Sequence, residues 1–377
     1  MTSGADMIDW ELAVTTATKL VRPGPEVTRE EARAAVAELR AYAAESEGHV
    51  RTFTGLDTRG NDTPVLIVDR TGWVRANVQG FRHVLRPLLD KVNDRRETMP
   101  GGNALSGVGS KVTGIELGTL LSFLSARVLG QYETFAPLGD AAPPDTADAA
   151  QPAGRLLLVA PNIVQVEREL DVDPRDFRLW VCLHEETHRT QFTAVPWLRD
   201  HLEQEVHAFL TETEVDPAAM LRRVREAAQT LLPGRKDDEP AAENSSLVEL
   251  VQTPAQREIL QRITAVMSLL EGHADYVMDG VGPQVIPTVG EIREKFQQRR
   301  ARGTGRMDLA LRKLLGMDAK LRQYRDGERF VRTVVEQVGM AGFNRVWTSP
   351  NTLPTRGEIA APQTWVDRVH GTRSGTN

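Results

Sequence analysis

The sequence predicts a mainly α (α+β) protein, a helical core with a small β-sheet beside one helix suited to gripping a metal ion. Three observations carry this. Long segments repeat apolar residues at helical spacing behind recognisable caps. Pro64 to Val68 and Arg155 to Ala160 read as short apolar strands. Leu179 to Val195 contains His184, Glu185 and His188 in the order H-E-x-x-H.

In chain order, residues 8 to 22 read as a short helix, and Thr28-x-x-Glu31 is a capping-box pattern before an alanine-rich helix expected to end near Gly48. Pro64 to Val68 is the first strand, Thr71-Gly72 a turn, and Val74 to Val92 a helix that Pro100-Gly101-Gly102 closes. SGVGSK at 106 to 111 lacks the ending of a phosphate loop and reads as a loop entering a helix from Val112 to Tyr132. Gly114, Gly118, Leu121 and Ser125 share one face of that helix, where small residues let a neighbour approach. The stretch 137 to 154 is an aperiodic loop, and RLLLVA after it is a strand that either packs under the metal helix or offers a sheet edge to an extended ligand.

Asp173 and Pro174 supply an N-cap and first-turn proline, and Phe177, Trp180, Val181 and Leu183 follow at helical spacing. Helices are expected at Trp197 to Leu210 and Pro217 to Leu232, then a charged loop at 233 to 246. The next long helix runs from Pro254 to Gly280 with a stripe of Ile259, Ile263, Val266, Met267 and Leu270. Thr288-x-x-Glu291 predicts a cap on a basic helix bearing Arg293, Lys295, Arg299, Arg300 and Arg302, read as a solvated face. Helices at Asp308 to Lys320, Gln323 to Gly339, Asn344 to Trp347 and Trp365 to Val369 complete the chain.

The 377 residues are 40% hydrophobic and 26% charged, an ordinary globular composition that can bury a large core. A formal net charge of -6 argues against nucleic acid or an anionic membrane as partner. Glu116 and Arg127 bracket the most apolar run, leaving it too short to span a bilayer. The single cysteine, Cys182, excludes an intramolecular disulfide and reads as a packing residue. With no basic region and apolar run at its start, the chain is expected to be cytoplasmic.

Two histidines four positions apart share a helix face, so both imidazoles can reach one ion, with Glu185 beside them to act on its water. The bland alternative pairs these histidines with Glu185 and Glu186 in a core without any ion. A catalytic zinc site has three protein ligands and an open position, which calls for one more donor. Metzincins place a glycine three and a histidine six residues beyond the second histidine, where this chain has Gln191 and Ala194. Glu271-Gly-His273-Ala-Asp275 lies between apolar neighbours, where a carboxylate needs an ion or hydrogen-bond partners. Glu271 and Asp275 share a face while His273 points about 160° away, and Glu271-x-x-x-Asp275 resembles the glutamate ligand and following acid of gluzincins. Glu271 is therefore the preferred ligand, and Asp275 the acceptor for the outer N–H of His184 or His188. His273 is the second choice as ligand, or a catalytic donor, while His201 and His207 read as surface or packing residues. Tyr276, Tyr324 and Arg345 are candidates to contact substrate or stabilise developing negative charge.

HEETH, LEGHADYVMD and the ending from GMDAKLRQYRDGERFV through FNRVWTSPNTLPTRGEIAAPQTWVDRV resemble an uncharacterised bacterial family of zincin-like hydrolases, the zincin-like metallopeptidases of type 2. Some members carry a label tying them to deazaflavin-coenzyme biosynthesis. The resemblance covers most of the chain. It implies a zincin-like helical core in which His184, His188 and Glu271 hold one zinc ion and Glu185 is catalytic. Residues 1–136 are then expected to pack as a helical region on a metal-binding region at 155–370, forming one compact unit. Two imidazoles and a carboxylate suit zinc, though iron, cobalt or manganese could use the same donors. The expected activity is zinc-dependent hydrolysis of a peptide or amide bond, with Glu185 as general base. The alternatives are a metal-stabilised scaffold with a vestigial site, and a hydrolase of a non-peptide small molecule.

Overall fold

The fold is that of a computed structural model, which describes residues 7–58, 63–97, 106–135, 154–212, 253–302 and 317–371. It is mainly helical with one three-stranded sheet. Helices α1 (Trp10–Leu20), α2 (Arg29–Thr54), α3 (Arg70–Glu97) and α4 (Ser106–Ser125) and strand β1 (Val65–Val68) come first. Strands β2 (Gly130–Glu133) and β3 (Arg155–Val159) lead into α5 (Ala160–Leu170), α6 (Pro174–Ala194) and α7 (Pro196–Thr211). The long helix α8 (Pro254–Val285), then α9 (Val289–Arg302) and α10 (Met317–Phe343), follow. Two short 3₁₀ turns, α11 (Arg356–Ala360) and α12 (Pro362–His370) end the described chain. The predicted helix at 217 to 232, the loops at 137 to 153 and 233 to 246 and the break at 100 to 102 lie outside the described residues, as does most of the helix predicted at 308 to 320.

Several boundaries differ from expectation for physical reasons. The Thr28–Glu31 capping box opens α2, but the helix passes through Gly48 because Val50 and Thr54 continue its buried stripe; it stops at Gly55, in the left-handed region at φ 69°. Thr71-Gly72 lies in the first turn of α3, where Asp69 Oδ1 accepts from the Gly72 N–H at 2.6 Å. SGVGSK is helical rather than a loop, and α4 ends at Ser125 instead of Tyr132. Gly130 to Glu133 form a strand because β3 offers an antiparallel partner, a tertiary pairing no local pattern announces. Gly114 and Gly118 face α1, with Leu121 and Ser125 fully buried on the same side. Thr288 caps nothing through Glu291; its hydroxyl and backbone N–H both donate to Asp176 Oδ2, at 2.7 and 3.0 Å, tying α9 to α6. The basic face of α9 is partly paired, Arg293 with Asp279 and Arg299 with Glu169.

The sheet runs β1-β3-β2, β1 parallel and β2 antiparallel to β3. RLLLVA is therefore the central strand and offers no edge, and its Leu156, Leu157, Leu158 and Val159 are all fully buried. The edge strands are β1 and β2, and β2 is the one whose residues line a cleft beside α6. The sheet and α2 knit the early and late parts of the sequence together: β1 pairs with β3, while Leu39 and Val50 of α2 share an apolar core with Phe177 and Leu183 of α6. A second core joins α7, α8, α10 and the C-terminal turns, and a third lies among α1, α3, α4 and the sheet. Among the described residues, no helix is long and apolar enough to cross a membrane.

Candidate metal centre

Helix α6 begins as its sequence requires, with Asp173 Oδ1 accepting from the Asp176 N–H at 2.9 Å and Pro174 in the first turn. Phe177, Leu179, Val181 and Leu183 sink into the first core, which fixes the helix about its axis. His184 and His188 consequently face α8. Their rings stand perpendicular with centroids 4.8 Å apart and Nε2 atoms 3.2 Å apart. Glu271 of α8 meets them, Oε2 lying 3.6 Å from His184 Nε2 and Oε1 3.8 Å from His188 Nε2.

These separations fit a shared cation. Ligand bonds of about 2.0–2.2 Å in a tetrahedron place donor atoms about 3.3–3.6 Å apart, and the donors of these three residues all lie within 4.8 Å of one another. The hydrogen bonds behind them sharpen the fit. Gln191 directs its Nε2 amide at Leu270 C=O, at 2.9 Å, an acceptor that only the NH₂ end can satisfy. Its Oε1 therefore faces His188 Nδ1 at 3.0 Å and assigns the proton to that nitrogen, leaving a lone pair on His188 Nε2. Burial alone would lower the His188 pKa, but the carboxylates of Glu271 and Glu185 outweigh it and raise it. A lone pair and a carboxylate converging on one point call for positive charge.

Asp275 is not the acceptor for His188, whose outer N–H goes to Gln191, three residues along the same helix. Asp275 acts on His188 through its charge instead. His184 Nδ1 lies 3.1 Å from Met278 Sδ. His273 does not join the donor cluster and does not line the cleft: it is fully buried, stacked on Phe343 at 5.3 Å and edge-on to Trp347. Its Nδ1 accepts from the second N–H of Gln191 at 3.0 Å, and burial depresses its pKa to about 3, so it is neutral.

Glu185 turns toward the sheet. An added Cβ on Gly130 would fall 2.5 Å from its Cγ and 2.6 Å from its Cδ, so only glycine at the start of β2 leaves room for this carboxyl. Burial pushes the Glu185 pKa up to about 7; His188 opposes the shift and Glu271 adds to it. Glu186 points elsewhere, to Arg189 Nη1 at 2.8 Å, and does not neutralise the histidine pair.

A cleft of about 540 Å³ opens onto this cluster. Asn77, Gly80, Phe81 and Val84 of α3 form one wall, residues 130 to 135 the floor, and His184, Glu185, His188, Met267, Leu270 and Glu271 the other wall. Two residues suggested by the sequence lie elsewhere. Tyr276 packs between Phe53 and the Arg332 guanidinium, and Arg345 donates to Val369 C=O at the end of α12. Both are remote because helical rotation and a separate C-terminal turn carry them off the cleft. The Tyr324 side chain lies outside those described. His201 stands edge-on to Trp197, His207 pairs with Thr211, and neither lines the cleft. Sequence reasoning missed Gly130, Gln191 and Met278. Only Gln191 left a local signal, an amide one turn beyond His188 on the same helix.

A family model described as zincin-like metallopeptidase matches residues 8–366. No curated protein matches the sequence. Among solved structures, the chain is similar to one from Chloroflexus aurantiacus described as a candidate hydrolase with a novel fold. The identity is 29%, the match covers 98% of this chain and 100% of that one, and the TM-score is 0.66.

Proposed function

The chain belongs to the zincin-like metallopeptidase family, and on that premise we propose that it hydrolyses a peptide or related amide bond in the α3–α8 cleft. The observation that carries this reading is the convergence of His184 Nε2, His188 Nε2 and a Glu271 carboxylate oxygen beside buried Glu185. Those three donors would hold a zinc ion, which when bound supplies Lewis-acid polarisation of the scissile carbonyl and acidifies a water to a pKa of about 7.

Glu185 is the general base. Its carboxylate takes the proton from the attacking water, holds it where burial raises the carboxyl pKa to about 7, and delivers it to the leaving nitrogen. Gln191 keeps His188 in the tautomer whose Nε2 lone pair faces inward. Edge strand β2 orients the substrate. Val159 N–H donates to Leu129 C=O at 2.8 Å, so alternation directs the backbone groups of Gly130 and Tyr132 away from β3, where an extended substrate can pair with them. The open cleft favours this reading over a vestigial scaffold, for which a closed site is expected. A single, fully buried cysteine suits work in a reducing, cytoplasmic setting.

The test joins elemental analysis with hydrolysis of an unstructured peptide mixture followed by mass spectrometry. We expect one metal per chain, lost in Glu271→Ala, and cleavage abolished in Glu185→Gln at full metal occupancy. Undiminished cleavage by fully loaded Glu185→Gln would remove Glu185 from the mechanism.

A further inference from the structure

Resting on the hydrolase reading above, we propose that the cleft selects substrates bearing a large, uncharged apolar side chain, held between Phe81 and Val84 of α3 and Met267 of α8. Phe81 and Met267 are 37% and 38% exposed, large apolar side chains left in water by folding. Neither they nor Val84 belong to any of the three apolar cores, yet all three line this one cleft. The sequence places Met267 in the apolar stripe of α8, and the fold leaves it exposed while Ile259, Val266 and Leu270 of that stripe are buried.

The placement relates these side chains to the reacting centre. Met267 stands four residues before Glu271, so one face of α8 carries both the apolar contact and the candidate ligand. Phe81 and Val84, three residues apart, present the matching face of α3 across the cleft. Pockets of this size bind through apolar walls with a few polar groups for orientation. Charge narrows the occupant further. The described lining residues include the carboxylates of Glu133, Glu185 and Glu271 but no lysine or arginine. Glu133 is already occupied by Arg155. A substrate side chain carrying a carboxylate and seated between Phe81, Val84 and Met267 would find no lysine or arginine among the described lining residues to pair with, whereas a benzyl or isobutyl group would cover these three side chains from water.

Two sets of probes separate this inference from the hydrolase reading. Calorimetric titration of the zinc-loaded protein compares acetohydroxamate, 3-phenylpropanohydroxamate and succinic monohydroxamate. The phenyl compound should bind about tenfold or more tighter than acetohydroxamate, as burying an aromatic group predicts, and the carboxylate compound more weakly than either. In the folded Phe81→Ser/Met267→Ser double variant the phenyl-to-methyl ratio should fall to about one. N-acetylphenylalaninamide, titrated by NMR into EDTA-treated protein, probes the apolar contact without any metal, against the amide of N-acetylaspartate as control. If hydroxamates fail to bind while N-acetylphenylalaninamide binds saturably and the aspartate control does not, the hydrolase reading falls and the apolar selectivity stands. Equal affinity for the methyl and phenyl hydroxamates, preference for the carboxylate compound, or absence of N-acetylphenylalaninamide binding would overturn the selectivity. Should the double variant not fold, the ordering of the three hydroxamates on the native protein decides.

Discussion

Two adjacent glutamates of α6 have the same chemistry and nearly the same burial, and they sit in opposite worlds. Glu185 and Glu186 are 7% and 1% exposed, and desolvation pushes both pKa values up to about 7. On the Glu186 side the helix is closed by charge. Arg189 meets Glu186 at 2.8 Å, reaches Glu47 of α2 at 3.4 Å and donates to Thr63 C=O. On the Glu185 side the neighbour is Gly130, with the histidine pair and the open cleft beside it. A buried carboxyl given a cation serves as structure, whereas one given space and an exit can move protons. The rotation of about 100° between successive helical residues is enough to separate the two roles.

The largest test of that contrast is Glu185→Gln, expected to lower kcat/KM about 10²–10⁴-fold while metal content and thermal unfolding stay near native. Gly130→Ala attacks the same carboxyl through space. Its methyl group must displace Glu185, and a misplacement on the order of 1 Å costs about 10²-fold in rate. If Gly130 acts only through Glu185, Gly130→Ala should cost almost nothing further in a Glu185→Gln background, as a double-mutant cycle measures. Full additivity would break the link between the glycine and the carboxyl.

The next effects fall on the metal and on the closed side. Gln191→Leu removes the acceptor that fixes the His188 tautomer, and zinc affinity measured by chelator competition should weaken about 10–100-fold. Glu186→Gln should leave that affinity alone and cost about 1–3 kcal/mol of stability in denaturant unfolding, because buried Arg189 loses the negative charge of its nearest carboxylate. A Glu186→Gln protein with native stability and impaired turnover would reverse the assignment of the two sides.

Much of the site was legible because its signals are local. The cap at Asp173, the four-residue histidine spacing and the apolar neighbours of Glu271 lie within single helices, and all three donor residues were named from them. What could not be read depends on approach between distant segments. GQYE has no alternation that marks a strand; β3 makes it one, and only then does Gly130 reach Glu185. Asp275 was assigned by helix-face geometry to the outer N–H of His184 or His188; a face shows which residues can turn toward a site, and for His188 the acceptor is Gln191 instead. Gln191 reaches His188 from the same helix and is itself held by the Leu270 backbone. Tyr276 and Arg345 were suggested by chemical type alone, and type carries no position.

The smallest effect, and the one that isolates the support behind the histidines, is a pH dependence. His273 is held neutral with its pKa depressed to about 3, against 6.5 for an ordinary histidine, and burial is the leading cause. The unfolded chain therefore binds a proton at this residue below pH 6.5 that the native protein refuses down to about pH 3. Its contribution to stability is present above pH 6.5 and is lost as pH falls through that window, by at most about 1.4 kcal/mol per pH unit. Glu185 and Glu186 run the other way, since raised carboxyl pKa values favour the native state on acidification from about 7 toward 4.5. The difference between native protein and His273→Phe cancels the carboxyl contributions shared by both. That difference, followed by denaturant unfolding from pH 7.5 to 5, should move in favour of the variant as pH falls. A difference flat across the range would mean that His273 charges without cost in the folded protein. Gln191 would then lose the neutral acceptor that holds its amide in place.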